Sequence, residues 1–164
     1  MVTFVNIVLN SSPLIFLARL EVLDKLAEYP DNFYLPKSVA DEIEVKQDQP
    51  RAYIASLIDS GQIEVREVTL VSLATSLNKR LGKGESEAIA LSIELQADYT
   101  ILDDLVARRE AMRLGLNVKG TLAVIKKLRD EGKITIDNLD DLYQKLVEVK
   151  FRVKRGIFND VFAS

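Results

Sequence analysis

The sequence predicts a three-layer α/β fold, in which a central, mostly parallel sheet of about four to five strands carries helices on both faces. Short apolar, β-branched runs alternate with longer segments of helical spacing along the chain, as is typical of parallel sheets. The 164 residues suit one domain, and 48% apolar residues can form its core. We see no internal repeat and no second domain, so we expect a single domain over residues 1–164.

The N-terminal half alternates strands and helices in a regular order. Residues 4–9 predict the first strand, and the Asn10-Ser11-Ser12-Pro13 turn predicts a helix with Ser near its N-cap and Pro in its first turn. Pro30 then breaks the helical pattern. The further elements predicted are helices over 14–20 and 22–27, a strand over 33–35, a helix over 37–45, a polar link over 47–50, a helix around 53–58 closed by Ser60-Gly61, and a half-exposed strand over 63–68.

The C-terminal half continues the alternation. Its predicted elements are helices over 70–81 and 85–95, a strand over 99–102, a helix over 105–114 ended by Gly115, a brief strand centred on Val118, a helix over 121–128 stopped around Gly132, and an amphipathic helix over 139–147. Residues 151–162 predict either a closing helix or a partner-binding surface. We therefore expect residues 138–164 to form a helical extension that packs on the domain or mediates dimer or partner contacts.

The composition excludes several kinds of chemistry. The chain has no Cys and no His, which excludes disulfides, thiolate nucleophiles, zinc–cysteine sites and Ser-His-Asp catalysis. Catalysis has to rest on carboxylates, hydroxyls, amides, Lys, Arg or Tyr, and carboxylates favour hard cations such as Mg²⁺ or Mn²⁺. The net charge of −3 lacks a bulk basic signature for nucleic acid, but local basic clusters leave room for a basic rim: Arg108, Arg109 and Arg113; Lys126, Lys127 and Arg129; Lys150, Arg152, Lys154 and Arg155.

Targeting signals are not evident in the sequence. No apolar run approaches the roughly 20 residues that a membrane helix needs, and no basic segment precedes the apolar run at the N-terminus. We therefore expect a cytoplasmic protein with no membrane partner.

Polar residues follow two of the predicted strands. Asn10 follows the first, and Asp103 and Asp104 follow the strand over 99–102, while Glu85 opens the helix directly before that strand. Taken singly, each is explained as a turn residue, an N-cap or a favourable charge at a helix start. In a parallel sheet these positions share one edge, where converging carboxylates repel one another unless a cation neutralises them. A metal site accounts for the combination economically.

Five segments, taken together, resemble the PIN-domain family. N-S-S-P-L resembles the opening D-T-S-x-L of that family, P-K-S-V-A-D-E-I its P-x-x-V-x-x-E-[IL] segment, G-K-G-E-S-E-A-I-A-L-S its third acidic motif, and T-I-L-D-D its strand ending T-x-D. G-L-N-V-K-G-T-L is similar to a PIN-like subfamily described only as nucleic-acid-binding proteins. These segments span residues 10–14, 36–43, 82–92, 100–104 and 115–122, so the resemblance covers roughly residues 5–127.

The resemblance implies a metal-dependent ribonuclease of a toxin–antitoxin pair. Its implied catalytic residues are Asn10, Glu42, Glu85 and Asp103. Mg²⁺ or Mn²⁺ would be held by Glu42, Glu85 and Asp103 with help from Asp104, and would activate water and stabilise charge on the scissile phosphate. Ser11, Thr121, Arg108 and Arg109 would bind the RNA. The implied partners are RNA, a second copy of the chain and a small antitoxin protein.

Two positions depart from the family pattern. Asn10 stands where the family has Asp and Glu85 where it usually has Asp, so the formal charge of the ligands falls by one and metal affinity should be lower. This leaves open a second hypothesis, a PIN-like module that has lost catalysis and binds RNA or a protein. A third hypothesis, a structural partner that uses its apolar C-terminal stretch, is compatible with the first.

Overall fold

The structure, a computed structural model, describes residues 4–46 and 49–163. In that part of the chain a sheet of five strands has the order β3-β2-β1-β4-β5, and every neighbouring pair is parallel. The strands are β1 (Asn6–Leu9), β2 (Asn32–Pro36), β3 (Ile63–Arg66), β4 (Tyr99–Ile101) and β5 (Val118–Lys119). The predicted α/β class and its parallel sheet are therefore confirmed.

Helices connect the strands and continue beyond the last one. In chain order they are α1 (Ser11–Arg19), α2 (Leu23–Ala27), α3 (Lys37–Glu44), α4 (Gln49–Asp59), α5 (Val71–Leu77), α6 (Lys83–Leu95), α7 (Leu105–Arg113), α8 (Thr121–Asp130), α9 (Leu139–Glu148) and α10 (Arg155–Phe162). Gly115 follows α7 with a φ of 87°, a left-handed conformation that glycine adopts without strain. None of the helices in residues 4–46 and 49–163 is long and apolar enough to cross a membrane.

Alternating side chains of the strands divide the core into two layers. Ile7 and Leu9 of β1 belong to the larger cluster, which includes buried side chains of α1, α4, α8 and α10. Val8, on the opposite face of the same strand, belongs to the smaller cluster with residues of α5, α6 and α7. Since successive strand residues point to opposite faces, this one short strand joins both layers. Helices consequently cover both faces of the sheet.

Several element boundaries differ from the prediction, among them the following three. The segment 47–50 was predicted as a polar link, but α4 begins at Gln49. Pro50 lies in the first turn of α4, where a missing N–H breaks no hydrogen bond. Residues 47 and 48 lie outside the described part of the chain, as do residues 1–3. The strand predicted over 63–68 ends at Arg66, and the helix predicted over 70–81 spans only Val71–Leu77.

The C-terminal segment folds back on the domain. Asn138 caps α9 by accepting the Asp140 backbone N–H at 2.7 Å. Phe158 of α10 is fully buried and makes an edge-on contact with Tyr143, with 5.2 Å between ring centroids. Phe162 is also buried in the larger cluster. Residues 155–162 therefore form a helix that packs on the domain. The predicted partner-binding surface stays a prediction.

Candidate functional site

Two neighbouring strands place Asn10 and Asp103 at the same edge of the sheet. β1 and β4 pair in parallel with Leu9 opposite Ile101, and the backbone N–H of Asn10 donates to the carbonyl of Ile101 at 3.2 Å. Asp103 follows two residues later on the β4 side. Because both strands end here, their polar residues emerge beyond the carboxyl edge of the sheet, where ligands of open α/β sheets bind.

Hydrogen bonds fix the carboxylate of Asp103 at the start of α8. The backbone N–H of Thr121 donates to Oδ1 at 2.8 Å, and the Thr121 hydroxyl donates to Oδ2 at 2.6 Å. A longer bond, 3.4 Å, comes from the Ser12 hydroxyl. Burial raises the pKa of Asp103 above its ordinary value, and the bonds from Thr121, the positive charge of Arg108 and the Ser12 bond only partly oppose that rise. Asp103 is thus a well-oriented carboxylate whose charge is incompletely compensated.

The side chain of Asn10 points an unpartnered oxygen into the interior. Asn10 is 4% exposed, and its Oδ1 is buried without a hydrogen-bond donor among the described residues. Leaving such an acceptor unsatisfied costs about 1–3 kcal/mol. The backbone of α6 comes close at Gly84, where a Cβ would lie 3.4 Å from Asn10 Oδ1 and 3.4 Å from Glu42 Oε1. Glycine therefore allows the α6 backbone to approach the oxygens of both Asn10 and Glu42.

Adjacent serines link the start of α1 to two different acidic residues. The Ser11 hydroxyl donates to Glu42 Oε2 of α3, whereas Ser12 reaches Asp103. Ser11 is 6% exposed, so its hydroxyl is turned inward to the carboxylate. The first turn of α1 thereby connects α3 to the end of β4.

Glu85 lies in the first turn of α6. Burial, the negative charge of Asp104 and, more weakly, that of Glu42 raise the pKa of Glu85, and a hydrogen bond from the Gly82 backbone opposes the rise. Other carboxylates therefore act on Glu85 across the site. Their mutual repulsion is what a bound cation would relieve.

The remaining predicted residues have different surroundings. Asp104 caps α7 by accepting the Ala107 N–H at 2.9 Å. Arg108 is half-buried and donates to the carbonyl of Leu102 at 3.3 Å, and its guanidinium lies against Gly120. Arg109 is exposed. Of the two arginines, only Arg109 thus presents its side chain to solvent. Thr121 is fully buried, and its hydroxyl donates a hydrogen bond to Asp103.

The donors suit a hard cation in kind, although not as a preassembled chelate. In the described residues, no three Asp, Glu, His or Cys side chains are gathered closely enough to hold a metal ion. The oxygens of Glu42, Glu85 and Asp103 and the amide oxygen of Asn10 are nevertheless the ligand types that Mg²⁺ and Mn²⁺ prefer. The unpartnered Asn10 Oδ1 beside Glu42 is the observation that fits a cation best, because a cation would satisfy it.

Two residues of this region escaped the sequence reasoning. Ser12 was noted as part of a turn and of the N-S-S-P-L segment, but its bond to Asp103 depends on the approach of α1 to β4. Gly84 was part of a quoted motif, but its close approach to Asn10 and Glu42 is a tertiary contact. The only signal in the sequence was the position of both residues directly beside residues of the acidic motifs.

Comparison with known protein families gives a match over nearly the whole chain. A protein-family model described as a PIN domain matches residues 6–164. No curated protein matches the sequence.

Proposed function

The chain belongs to the PIN-domain family, a fold of the nuclease type, and on that premise we propose that it is a metal-dependent endoribonuclease, the toxin of a toxin–antitoxin pair. The observation that carries the proposal is the buried, unpartnered Asn10 Oδ1, which lies with a Glu42 oxygen close to Gly84. Burial also raises the pKa of Glu85 and of Asp103, two further carboxylates of the same family motifs. A site of this kind has the charge and the donors for a divalent cation.

Glu42, Glu85 and Asp103 would hold Mg²⁺ or Mn²⁺ together with Asn10, and Asp104 would add negative charge nearby. When bound, the cation supplies activation of water and stabilisation of charge on the scissile phosphate. The chain itself supplies orientation: Thr121 fixes both oxygens of Asp103. Ser11 fixes one oxygen of Glu42.

RNA would approach over the start of α7. Arg109 is exposed there and would contact the phosphate backbone, which predicts binding that weakens as salt rises. The guanidinium of Arg108 donates to the Leu102 carbonyl, so Arg108 would contribute to RNA binding mainly through its positive charge. We further propose a cytoplasmic homodimer that a small antitoxin protein inhibits.

Cleavage of single-stranded RNA, with Mn²⁺ or Mg²⁺ and with EDTA, tests the proposal. Cleavage should need the metal, and Asp103→Asn should abolish it while leaving the fold intact. The matched control is Asp137→Asn, at an exposed position outside the site, which should keep full activity. Full activity of Asp103→Asn would show that the assignment is wrong.

Asn10 itself favours a second candidate function, an RNA- or protein-binding module without catalysis. An amide oxygen can ligate Mg²⁺ but brings no negative charge, so the metal would bind more weakly. This candidate predicts RNA binding that survives chelation, with no cleavage. Asn10→Asp separates the two, because cleavage that appears only in this variant identifies the chain as an impaired nuclease.

A further inference from the structure

Gly120 leaves open a space beside both Arg108 and Asp103. It precedes α8 with a φ of −107° and a ψ of 178°, a conformation that residues with side chains also adopt. A Cβ at this position would collide with Nη1 of Arg108, and it would lie 3.6 Å from Cζ of Arg108 and 3.2 Å from Oδ1 of Asp103. The guanidinium and the carboxylate therefore adjoin the same point, which a larger residue would occupy.

The position of this guanidinium is unfavourable for α7 by itself. Arg108 is the fourth residue of α7, and its Nη1 reaches back beyond the start of the helix to donate to the carbonyl of Leu102 at 3.3 Å. The N-terminal end of a helix carries partial positive charge and disfavours a cation. Negative charge nearby has to offset this cost, and the carboxylate of Asp103 adjoins the same point as the guanidinium.

Asp103 in turn accepts its hydrogen bonds from uncharged donors within the described residues. These donors are the backbone and hydroxyl of Thr121 and, at 3.4 Å, the hydroxyl of Ser12. Burial raises the pKa of Asp103, and the positive charge of Arg108 is among the interactions that oppose the rise. A buried carboxylate with neutral donors depends on a nearby cation to compensate its charge, and Arg108 provides that charge.

We propose that Arg108 is a resident counter-charge of the acidic site, with which a divalent cation has to compete, and that Gly120 is the positioning residue that admits its guanidinium. This inference rests on the metal site of the proposed function, in which Asp103 is an expected ligand. A cation that approaches Asp103 also approaches a fixed positive charge, so part of its attraction to the site is cancelled. The charge of Arg108 thereby stabilises the metal-free state and lowers the affinity for metal.

The affinity for Mn²⁺, followed by electron paramagnetic resonance in the absence of RNA, measures this competition. Arg108→Gln removes the charge and should bind Mn²⁺ about tenfold more tightly than the wild type, the order expected for one like charge under solvent screening. Arg108→Lys keeps the charge and should bind much more weakly than Arg108→Gln. The control Arg152→Gln removes the same charge at an exposed position between α9 and α10, and should change the affinity by less than about twofold.

Urea unfolding of the same variants gives a readout that a merely structural role would not move. In EDTA, Arg108→Gln should unfold at a lower urea concentration than the wild type, because Asp103 has lost its counter-charge. In saturating Mn²⁺ this difference should shrink or reverse, because the variant gains more stability from the bound ion. The same difference in both conditions would overturn the counter-charge.

Gly120→Ala tests whether the missing side chain admits the guanidinium. The collision involves the end of a flexible side chain, so the fold should hold while Arg108 moves away. Because the new Cβ also approaches Asp103, the substitution is made in the wild type and in Arg108→Gln. Its effect on the affinity for Mn²⁺ should be more favourable in the wild type by about threefold. The control Gly156→Ala, where a Cβ meets nothing within 4 Å, should have the same effect in both backgrounds.

The outcomes separate this inference from the proposed function. An affinity of Arg108→Gln for Mn²⁺ that is equal to or below that of the wild type overturns the counter-charge and leaves the metal site standing. Equal effects of Gly120→Ala in both backgrounds overturn the positioning role of Gly120. Failure of both the wild type and Arg108→Gln to bind Mn²⁺ overturns the inference together with the metal site. Tighter binding of Mn²⁺ by Arg108→Gln without cleavage of RNA supports the counter-charge and overturns the nuclease.

Discussion

Replacing Thr121 by Val removes one hydroxyl from the bond network of Asp103 and keeps the shape of the side chain. The lost bond is 2.6 Å long, goes to a carboxylate, and lies where Thr121 is fully buried. Hydrogen bonds to charged groups contribute about 1.5–3 kcal/mol. The backbone bond from the same residue, at 2.8 Å, remains. We therefore expect Thr121→Val to lower the free energy of unfolding at neutral pH by about 2 kcal/mol.

The loss should depend on pH in a definite direction. Burial already raises the pKa of Asp103, and removal of a bond to its charged form raises that pKa further. The folded state then binds the proton more readily than the unfolded state, so stability is present at low pH and falls as pH rises through the window between the two pKa values. The difference between wild type and Thr121→Val should thus be small in acid and largest at neutral pH.

Urea unfolding at several pH values measures this difference. Thr121→Ser keeps the hydroxyl and loses only a methyl group, so it serves as the matched control, and RNA cleavage by both variants provides a second readout. The rate of cleavage should fall at least tenfold in Thr121→Val, because the lost bond of about 2 kcal/mol exceeds the roughly 1.4 kcal/mol that corresponds to a tenfold change in rate. The rate should fall much less in Thr121→Ser. If the Val and Ser variants behave alike in stability and cleavage, the hydroxyl does not hold Asp103 as argued.

Three further perturbations test other parts of the structure. Gly84→Ala should change the free energy of unfolding by less than about 1 kcal/mol, because the higher helix propensity of alanine is offset by tight contacts of 3.3–3.4 Å around the new Cβ. The affinity for Mn²⁺, followed by electron paramagnetic resonance, should nevertheless fall. An unchanged affinity would contradict the placement of the cation. Phe158→Ala should cost about 3–5 kcal/mol in urea unfolding because the ring is fully buried, and a loss under about 1 kcal/mol would show that α10 does not close the core. Burial acts to raise the pKa of Glu94, but hydrogen bonds from Thr69 and Leu70 lower it below its ordinary value. The stabilising effect of the charged Glu94 should therefore disappear as pH falls through that lowered pKa. Glu94→Gln should flatten the acid limb of the plot of stability against pH, and an unchanged limb would refute this role of Glu94.

Strand ends and motifs indicate at which edge of the sheet a residue lies, but not what its side chain contacts. Asn10 and Asp103 could be placed together because parallel strands end at one edge, and their neighbouring strands pair as expected. The surroundings of Arg108 could not be foreseen, because its guanidinium lies against the backbone of Gly120, a contact that exists only once β4 and β5 are paired. Thr121 was expected to bind the substrate. Its bond to Asp103 is likewise a tertiary contact that the sequence does not reveal.

The boundaries that were missed have local causes. Pro50 suggested a link, yet proline is compatible with the first turn of a helix, and α4 begins one residue before it. The segment 151–162 offered two interpretations because an amphipathic pattern does not say what covers its apolar face. Phe158 and Phe162 are buried against the domain, so these two side chains belong to the core.

Anomalous diffraction from crystals grown with Mn²⁺ tests the central claim most directly. We expect one or more anomalous peaks at the carboxyl edge of the sheet, ligated by Asn10 Oδ1 and by carboxylate oxygens of Glu42, Glu85 and Asp103. The peak should weaken or vanish in Asp103→Asn. Well-ordered crystals at saturating Mn²⁺ with no peak at this edge, or with a peak only elsewhere, would contradict the proposed metal site.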